Sequence, residues 1–165
     1  MLSTRISRPQ FAASDDSSSP YYFLHIPKTA GSTLNQVLDG LFNDFEICSH
    51  FGWTELLNIP RDALGDYKLF RGYLYGYLHR YVEMPLRYFT FLRDPVDRAL
   101  SHYSHILRDE NHYMRQRTLA LGSFGAFIRD PETRNLVVNF QVRAIALDFD
   151  PVTHAAKLSE NELGR

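Results

Sequence analysis

The sequence predicts an α/β domain in which a parallel sheet is flanked by helices. The main observation is that a buried strand, a loop rich in anion-binding groups and an amphipathic helix follow one another twice, first from Tyr21 and again from Tyr88. Parallel strands need crossover connections of this kind. The second observation is size, because 165 residues with 44% hydrophobic residues suit one domain with a sizeable core.

The first 19 residues differ in composition from the rest of the chain. Residues 1–19 are polar and run into Asp-Asp-Ser-Ser-Ser before Pro20, which predicts a flexible leader. Residues 20–165 are then expected to form a single domain.

The first strand–loop–helix unit begins with the apolar run 21–26, which predicts a buried strand closed by Pro27. The loop 27–33 follows. Apolar residues then recur at spacings of three and four and predict one face of a helix: Leu34, Val37, Leu38, Leu41 and Phe42.

Shorter strands are expected at 45–48 and 68–74, before the second unit. Residues 88–92, with the sequence YFTFL, are the strongest strand prediction because they are aromatic and β-rich. Asp94 and Pro95 then fit the N-cap and first position of a helix. Its predicted buried face is Val96, Ala99, Leu100, Tyr103, Ile106 and Leu107.

The C-terminal third carries weaker signals. Segments 119–129 and 132–147 are predicted to be helical, and 150–165 is amphipathic but weakly specified.

The loop PKTAGST has the chemistry of an anion site. Backbone N–H groups at a helix N-terminus suit a phosphate or sulfate, and Gly31 permits close approach. Ser32 and Thr33 add hydroxyl donors, and Lys28 adds a full charge. The loop is P-loop-like but not a Walker A motif, in which the lysine follows the second glycine. The alternative is an ordinary turn with a solvated lysine and a hydroxyl cap.

A second anion site is predicted after the strand 88–92. Arg93 can bind a phosphate through its planar guanidinium, and Ser101 lies on the polar face of the following helix. The alternative is that Arg93 pairs with Asp94 or Asp97 and that Ser101 is a small packing residue. In a parallel sheet both loops would share one edge.

Composition excludes several classes of protein. The net charge is −1, from 18 basic and 19 acidic residues, which argues against a nucleic-acid partner. Cys48 is the single cysteine, so neither an intrachain disulfide nor a cysteine zinc site is expected. The sequence contains no stretch of about 18 apolar residues, so no membrane segment is predicted. Residues 1–19 lack the apolar stretch of a secretory signal. A cytoplasmic protein is therefore expected. Nothing in the composition specifies an oligomeric state.

Three stretches together resemble the PAPS-dependent sulfotransferases (PAPS is 3'-phosphoadenylyl sulfate). They are FLHIPKTAGSTL (23–34), YFTFLRDPVDRALSHY (88–103) and NFQVR (139–143). The closest resemblance is to the carbohydrate type, which includes the heparan sulfate sulfotransferases and bacterial relatives, and it spans about residues 21–147. The resemblance implies PAPS as sulfate donor, no metal, and a carbohydrate or other hydroxylated acceptor.

The resemblance also implies residue roles. Arg93 and Ser101 would hold the 3'-phosphate. Lys28 would offset the charge that develops on the departing phosphate oxygen. The loop residues that would hold the 5'-phosphosulfate are Lys28, Thr29, Ala30, Gly31, Ser32 and Thr33.

The catalytic base is the least defined role. Many relatives place a histidine directly after glycine on the strand before the RDP strand, whereas Tyr73 occupies that position here. His50 is one substitute, because SHFGWTEL resembles the H-x-x-W-T-E-L around the catalytic histidine of heparan sulfate 6-O-sulfotransferases. His79 is the other, and a surface or packing imidazole is the alternative for both. His102 and His105 are interpreted as structural.

The predicted function is transfer of a sulfuryl group from PAPS to a hydroxyl or an amine of a carbohydrate or small acceptor by in-line displacement. Tyr73 and the short stretch after 139–143 favour an alternative, a non-catalytic PAPS-binding module with a C-terminally incomplete fold. A third hypothesis is a nucleotide kinase, although a Walker A lysine and a magnesium-binding carboxylate pair are not evident. If the chain is a piece of a larger eukaryotic enzyme, the Golgi lumen replaces the cytoplasm as the expected compartment.

Overall fold

The computed structural model describes residues 18–48, 52–74 and 78–145. Its centre is a sheet of four strands in the order β2-β3-β1-β4, and every neighbouring pair is parallel. The predicted α/β parallel sheet is therefore confirmed. The strands are β1 (Tyr21–Leu24), β2 (Ile47–Cys48), β3 (Leu69–Gly72) and β4 (Arg87–Phe89).

Helices connect and flank these strands. Short 3-10 helices lie at Asp44–Glu46, Arg61–Asp66 and Arg134–Leu136. The α-helices are α1 (Gly31–Asp39), α2 (Trp53–Leu56), α3 (Leu78–Val82), α4 (Pro95–Arg108), α5 (Arg115–Leu121), α6 (Phe124–Phe127) and α7 (Phe140–Ile145). In the part of the chain that the structure describes, no helix has the length and apolar character needed to cross a bilayer.

All four strands are shorter than the sequence predicts, and β1 and β3 end at Leu24 and Gly72, each two residues early. Phe45 lies in a 3-10 helix and is 75% exposed, so β2 begins only at Ile47. Strand β4 ends at Phe89, which is paired with Phe23 of β1. There the Thr90 hydroxyl donates to the Leu24 carbonyl (2.7 Å). The predicted extension of this strand through residue 92 is wrong.

Helix α1 buries a narrower stripe than predicted. Leu38 is buried, and Leu34 and Phe42 pack beside it against the sheet. These three residues form one row at a spacing of four. Val37 and Leu41 are instead 54% and 70% exposed. The helix ends at Asp39, so Leu41 lies in the turn that follows it.

Helix α4 has the predicted start but a different buried face. The Asp94 carboxylate accepts from the N–H groups of Val96 (2.9 Å) and Asp97 (3.0 Å), and the first helical residue is proline, as predicted. Val96 and Leu100 are exposed, however. Arg98 and His102 lie buried beside Ala99 and Ile106.

Arg98 explains this orientation of α4. Its guanidinium donates to the carbonyls of Leu136 (2.8 Å), Val137 (3.3 Å) and Pro27 (3.4 Å). It also lies 4.7 Å from the ring centroid of Phe140. A hydrophobic pattern does not reveal this contact, because it depends on carbonyls that are distant in the sequence.

The two long helices predicted at 119–129 and 132–147 are each interrupted. Gly122 adopts φ 68° and ends α5, and Ser123 caps α6 by accepting from the Ala126 N–H (3.2 Å). Further on, Asn139 adopts φ 50° immediately before α7. These left-handed residues and the cap break one periodic pattern into short pieces. The segment 150–165 lies outside the described residues.

Candidate functional site

The carboxyl ends of β1 and β4 open into a cavity of about 510 Å³. It brings together the two predicted anion segments, with Lys28, Gly31 and Ser32 from one and Arg93 and Ser101 from the other. Its described lining is His25, Pro27, Lys28, Ala30, Gly31, Ser32, Tyr73, Arg93, Ser101, His102, His105 and His112.

The loop before α1 has an unusual backbone conformation. Lys28 and Ala30 adopt φ 72° and 68°, in the left-handed region that non-glycine residues rarely occupy. Thr29 between them is buried, and its hydroxyl donates to the Ile26 carbonyl (2.8 Å). The predicted loop residue Thr29 therefore braces the turn, while Thr33 is exposed on the first turn of α1.

Gly31 faces the imidazole of His25. A Cβ at position 31 would lie 1.9 Å from His25 Nε2. Any other residue would displace the ring or the start of the helix. The close approach of an anion, which the sequence suggests as the role of Gly31, stays a prediction beside this steric requirement.

His25 belongs to a stack of four near-parallel rings. The centroid distances are 5.4 Å from Phe89 to Phe23, 5.3 Å from Phe23 to His25 and 4.8 Å from His25 to Tyr73. The interplanar angles are 24°, 18° and 24°. We call these residues the ring stack. Its last member, Tyr73, is 39% exposed at the cavity.

The sequence analysis did not single out His25. Burial lowers its pKa below the usual value, and its Nδ1 is buried with no hydrogen-bond partner among the described residues. Its place three residues before Lys28, directly beyond β1, is the signal that could have identified it. Burial also raises the pKa of Tyr73, which makes its hydroxyl a poor proton acceptor.

Arg93 is positioned through its backbone by Gln141. The Arg93 N–H donates to Gln141 Oε1 (2.9 Å), and Gln141 Nε2 donates to the Arg93 carbonyl (2.8 Å). The Gln141 amide thus makes the pair of hydrogen bonds that the backbone of a neighbouring strand would make, at a point beyond the end of β4. In the described part of the chain, neither Asp94 nor Asp97 forms an ion pair with the Arg93 guanidinium, so the alternative pairing is not found.

The cavity has a surplus of positive charge. The pKa of Lys28 is lowered by partial burial and then by the charges of Arg108 and Arg93. Among the described residues that line the cavity, none is a carboxylate. Arg108 lines an adjoining groove of about 590 Å³, which shares Arg93 and Ser101 with the cavity. Arg108 is the last residue of α4, and its position on that helix relative to Ser101 is the signal in the sequence that could have identified it.

Three histidines form the other wall of the cavity. His102 is 7% exposed, and burial followed by the nearby positive charges lowers its pKa to about 3. His112 lies 5.8 Å from His105 and 6.4 Å from His102 between ring centroids. Both His102 and His105 line the cavity. The burial of His102 suits the structural role predicted for it. Within residues 18–48, 52–74 and 78–145, no group of three or more His, Cys, Asp or Glu could hold a metal ion.

The two predicted catalytic histidines are His50 and His79. His50 lies outside the described residues. His79 belongs to α3, but its side chain is likewise outside the described part. Their predicted role as proton acceptor stays a prediction.

This arrangement of a helix N-terminus, a lysine, an arginine and a serine around one cavity suits an anion with two charged ends. The family model for the sulfotransferase family matches residues 15–137, which is more than half of the chain. No curated protein and no solved structure matches the chain significantly. From this match, on a parallel sheet with both anion segments at one edge, we conclude that the chain belongs to the sulfotransferase family.

Proposed function

We propose that the protein transfers a sulfuryl group from PAPS to a hydroxyl of a carbohydrate or a small hydroxylated acceptor. The observation that carries the proposal is that Lys28, Arg93 and Ser101 line one cavity whose described lining has no carboxylate. A donor with phosphates at two positions matches two separate cationic groups. Family membership supports sulfuryl transfer as the type of reaction.

The residues of the loop fit one end of the donor. The N-terminus of α1, a helix of nine residues, offers N–H groups and partial positive charge to the phosphosulfate. Ser32 adds a hydroxyl, and Lys28 faces the same cavity. Burial, followed by the charges of Arg108 and Arg93, lowers the pKa of Lys28, and an anion in the cavity would stabilise the charged ammonium form.

Arg93 and Ser101 fit the other end of the donor. The backbone bonds to Gln141 hold Arg93, which leaves its guanidinium to bind the 3'-phosphate in a bidentate manner. Ser101, on the second turn of α4, adds a hydroxyl from the facing wall.

PAPS, when bound, supplies a sulfuryl group on a good leaving group. In the proposed transfer the acceptor oxygen forms a bond to sulfur as the bond from sulfur to the phosphate oxygen breaks. Lys28 stabilises the negative charge on that phosphate oxygen. The proton of the acceptor hydroxyl passes to a general base, for which we propose His50 and, as the second candidate, His79.

Donor recognition is tested by isothermal calorimetry with adenosine 3',5'-bisphosphate and adenosine 5'-phosphate. Arg93→Ala should weaken binding of the bisphosphate by about 10- to 100-fold, as expected for a lost charged hydrogen bond. It should leave the 5'-monophosphate affinity nearly unchanged. Equal loss for both nucleotides would contradict the assignment of Arg93 to the 3'-phosphate.

Transfer is tested by following sulfate from labelled PAPS to a panel of sugars and simple alcohols. Lys28→Met should lower kcat by at least about 100-fold, as removal of one preorganised electrostatic group does. Lys68→Met is the matched control, because Lys68 pairs with Glu46 near the start of β3, at the opposite edge of the sheet. If Lys28→Met turns over like the unsubstituted protein, the proposal fails.

Tyr73 favours a second candidate function, a module that holds PAPS or its product without turnover. It occupies the cavity, and burial raises the pKa of its hydroxyl, so it does not replace a histidine base. Nucleotide binding that depends on Arg93, with no transfer to any acceptor, would support this candidate. Losses of kcat in His50→Ala or His79→Ala with unchanged nucleotide affinity would exclude it.

A further inference from the structure

The ring stack ends at Tyr73, which stacks on His25, is 39% exposed and lines the cavity. We propose that Tyr73 is the positioning residue for the acceptor, and that the acceptor carries its hydroxyl on a ring with a flat apolar face. This inference rests on the proposed function and names the acceptor class for the same cavity. Two chemistries share that flat face, an aryl ring and the C–H face of a pyranose.

The sequence builds the stack from the alternation of a strand. Phe23 and His25 are two residues apart at the end of β1 and therefore face the same side of the sheet. Phe89 is the register partner of Phe23 in β4. Tyr73 follows β3 directly after Gly72, the register partner of Leu24.

The stack is closed at one end and open at the other. Tyr21 meets Phe89 edge-on, with centroids 6.3 Å apart and an interplanar angle of 81°. Among the described residues, no further ring continues the parallel stack there. At the opposite end Tyr73 has one face on His25, is 39% exposed and lines the cavity. In residues 18–48, 52–74 and 78–145, the ring of Tyr73 has no other aromatic contact and its hydroxyl has no hydrogen-bond partner.

The stack also holds Tyr73 at the right place relative to the donor site. His25, the ring beneath Tyr73, lies against Gly31, where any Cβ would be 1.9 Å from Nε2. Tyr73, which we call the platform, is therefore separated by one ring from the first residue of α1, where we place the phosphosulfate. A ring stacked on Tyr73 would occupy the cavity that Lys28 and Ser32 also line.

Kinetics of the full 165-residue chain with matched acceptors test the inference. The ring acceptors are 2-naphthol and methyl β-glucopyranoside, and the acyclic acceptors are 1-hexanol and sorbitol. Ring acceptors should have a KM at least about fivefold lower than acyclic ones, in line with the strength of an aromatic stack. The naphthol and pyranoside arms separate the two sources of a flat face. Equal KM values for ring and acyclic acceptors would overturn the inference without any variant.

Variants separate positioning from folding. Tyr73→Leu should raise the ring-acceptor KM about fivefold while kcat and the affinity for adenosine 3',5'-bisphosphate change less than about twofold. Tyr73→Phe keeps the ring and should restore the KM. Phe45→Leu is the matched control, since Phe45 is exposed before β2, away from the cavity. An unchanged KM in Tyr73→Leu, or an equal loss of nucleotide affinity, would refute the positioning role.

Binding measurements distinguish this inference from the proposed function. Calorimetry of 2-naphthol or the pyranoside with the nucleotide-loaded protein needs no turnover. Binding that Tyr73→Leu weakens about fivefold supports the platform even if no sulfate is transferred. Transfer that proceeds with no dependence on Tyr73 contradicts the platform and leaves the proposed function intact.

Discussion

Arg98 ties the loop before α1 to the C-terminal segment, and its replacement by methionine should destabilise the protein measurably. The side chain is 1% exposed, and its guanidinium reaches the carbonyls of Pro27, Leu136 and Val137. Methionine has a similar length and no charge, so Arg98→Met removes the donors and keeps much of the packing. The carbonyls then lose a partner in a buried setting, which is the costly case.

The magnitude follows from the contact distances. The 2.8 Å bond to Leu136 from a charged donor contributes about 1.5–3 kcal/mol. The contacts at 3.3 Å and 3.4 Å contribute about 0.5–1 kcal/mol each, and the Phe140 ring at 4.7 Å adds about 1 kcal/mol. Removing the desolvation cost of a buried cation offsets about 1–2 kcal/mol of this loss. We therefore expect the free energy of unfolding to fall by about 3 kcal/mol.

Equilibrium unfolding in urea, followed by circular dichroism, measures this change. For a chain of this size, a loss of 3 kcal/mol corresponds to a lower Tm by about 6–12 °C. Arg134→Met is the matched control, because Arg134 is exposed on the same C-terminal segment and should change stability by less than about 0.5 kcal/mol. An Arg98→Met protein as stable as the unsubstituted one would show that the carbonyl contacts merely balance desolvation.

Three further changes test other contacts. Gln141→Leu removes both bonds to the Arg93 backbone and should weaken binding of adenosine 3',5'-bisphosphate about threefold to tenfold by calorimetry, with the fold retained. Gly31→Ala places a methyl on the His25 ring and should lower the free energy of unfolding by about 1–3 kcal/mol in urea. Replacing His102, whose pKa is lowered to about 3, by glutamine should flatten the fall in stability between pH 6.5 and 3.

The sign of the His102 effect follows from proton uptake. The unfolded chain binds a proton at this residue below its ordinary pKa of 6.5, and the folded chain does so only near 3. Stability from the neutral imidazole is therefore complete above pH 6.5 and is lost as the pH falls, at up to about 1.4 kcal/mol per pH unit. If the free energy of unfolding falls equally between pH 6.5 and 3 in His102→Gln and in the unsubstituted protein, this prediction is contradicted.

Controls for the other two changes use the same chain. Gln116→Leu removes an exposed glutamine from α5 and should leave the nucleotide affinity unchanged. If Gln141→Leu behaves in the same way, the backbone bonds to Arg93 do not position its guanidinium. Gly52→Ala adds a methyl where no atom of the described residues lies within 4 Å and should be nearly neutral. Gly31→Ala should lower the free energy of unfolding clearly more than Gly52→Ala does. If it does not, the His25 ring leaves room for a methyl group at position 31.

Local signals in the sequence predicted the sheet and both anion segments. The apolar run into Pro27 and the Asp94–Pro95 cap act through neighbouring residues, so they survive in the fold as β1 and the start of α4. The shared edge then followed from parallel pairing. Lys28 and Arg93 line one cavity for that reason.

Features that depend on distant contacts were not predictable. The buried face of α4 is set by carbonyls about 40 and 70 residues from Arg98, and a hydrophobic pattern carries no such information. Val96 and Leu100 were therefore assigned to the wrong face. The ring stack joins three strand ends, so the stacking of His25 between Phe23 and Tyr73 depends on residues from two different strands. The interruption at Gly122 is a local feature, because glycine readily adopts the left-handed conformation that ends α5.

The two left-handed residues of the loop have a consequence for how a ligand meets the protein. Holding Lys28 and Ala30 in this conformation costs about 1 kcal/mol each, which the rest of the fold must supply. That cost is met during folding, so a ligand finds the loop already in shape and loses little affinity to ordering it. Glycine at position 30 would relieve the strain and make the backbone more flexible. We therefore expect a higher Tm and a lower affinity for the ligand. Directed selection for thermal resistance alone should therefore favour glycine at position 30, and the selected protein should be more stable but should bind its ligand more weakly.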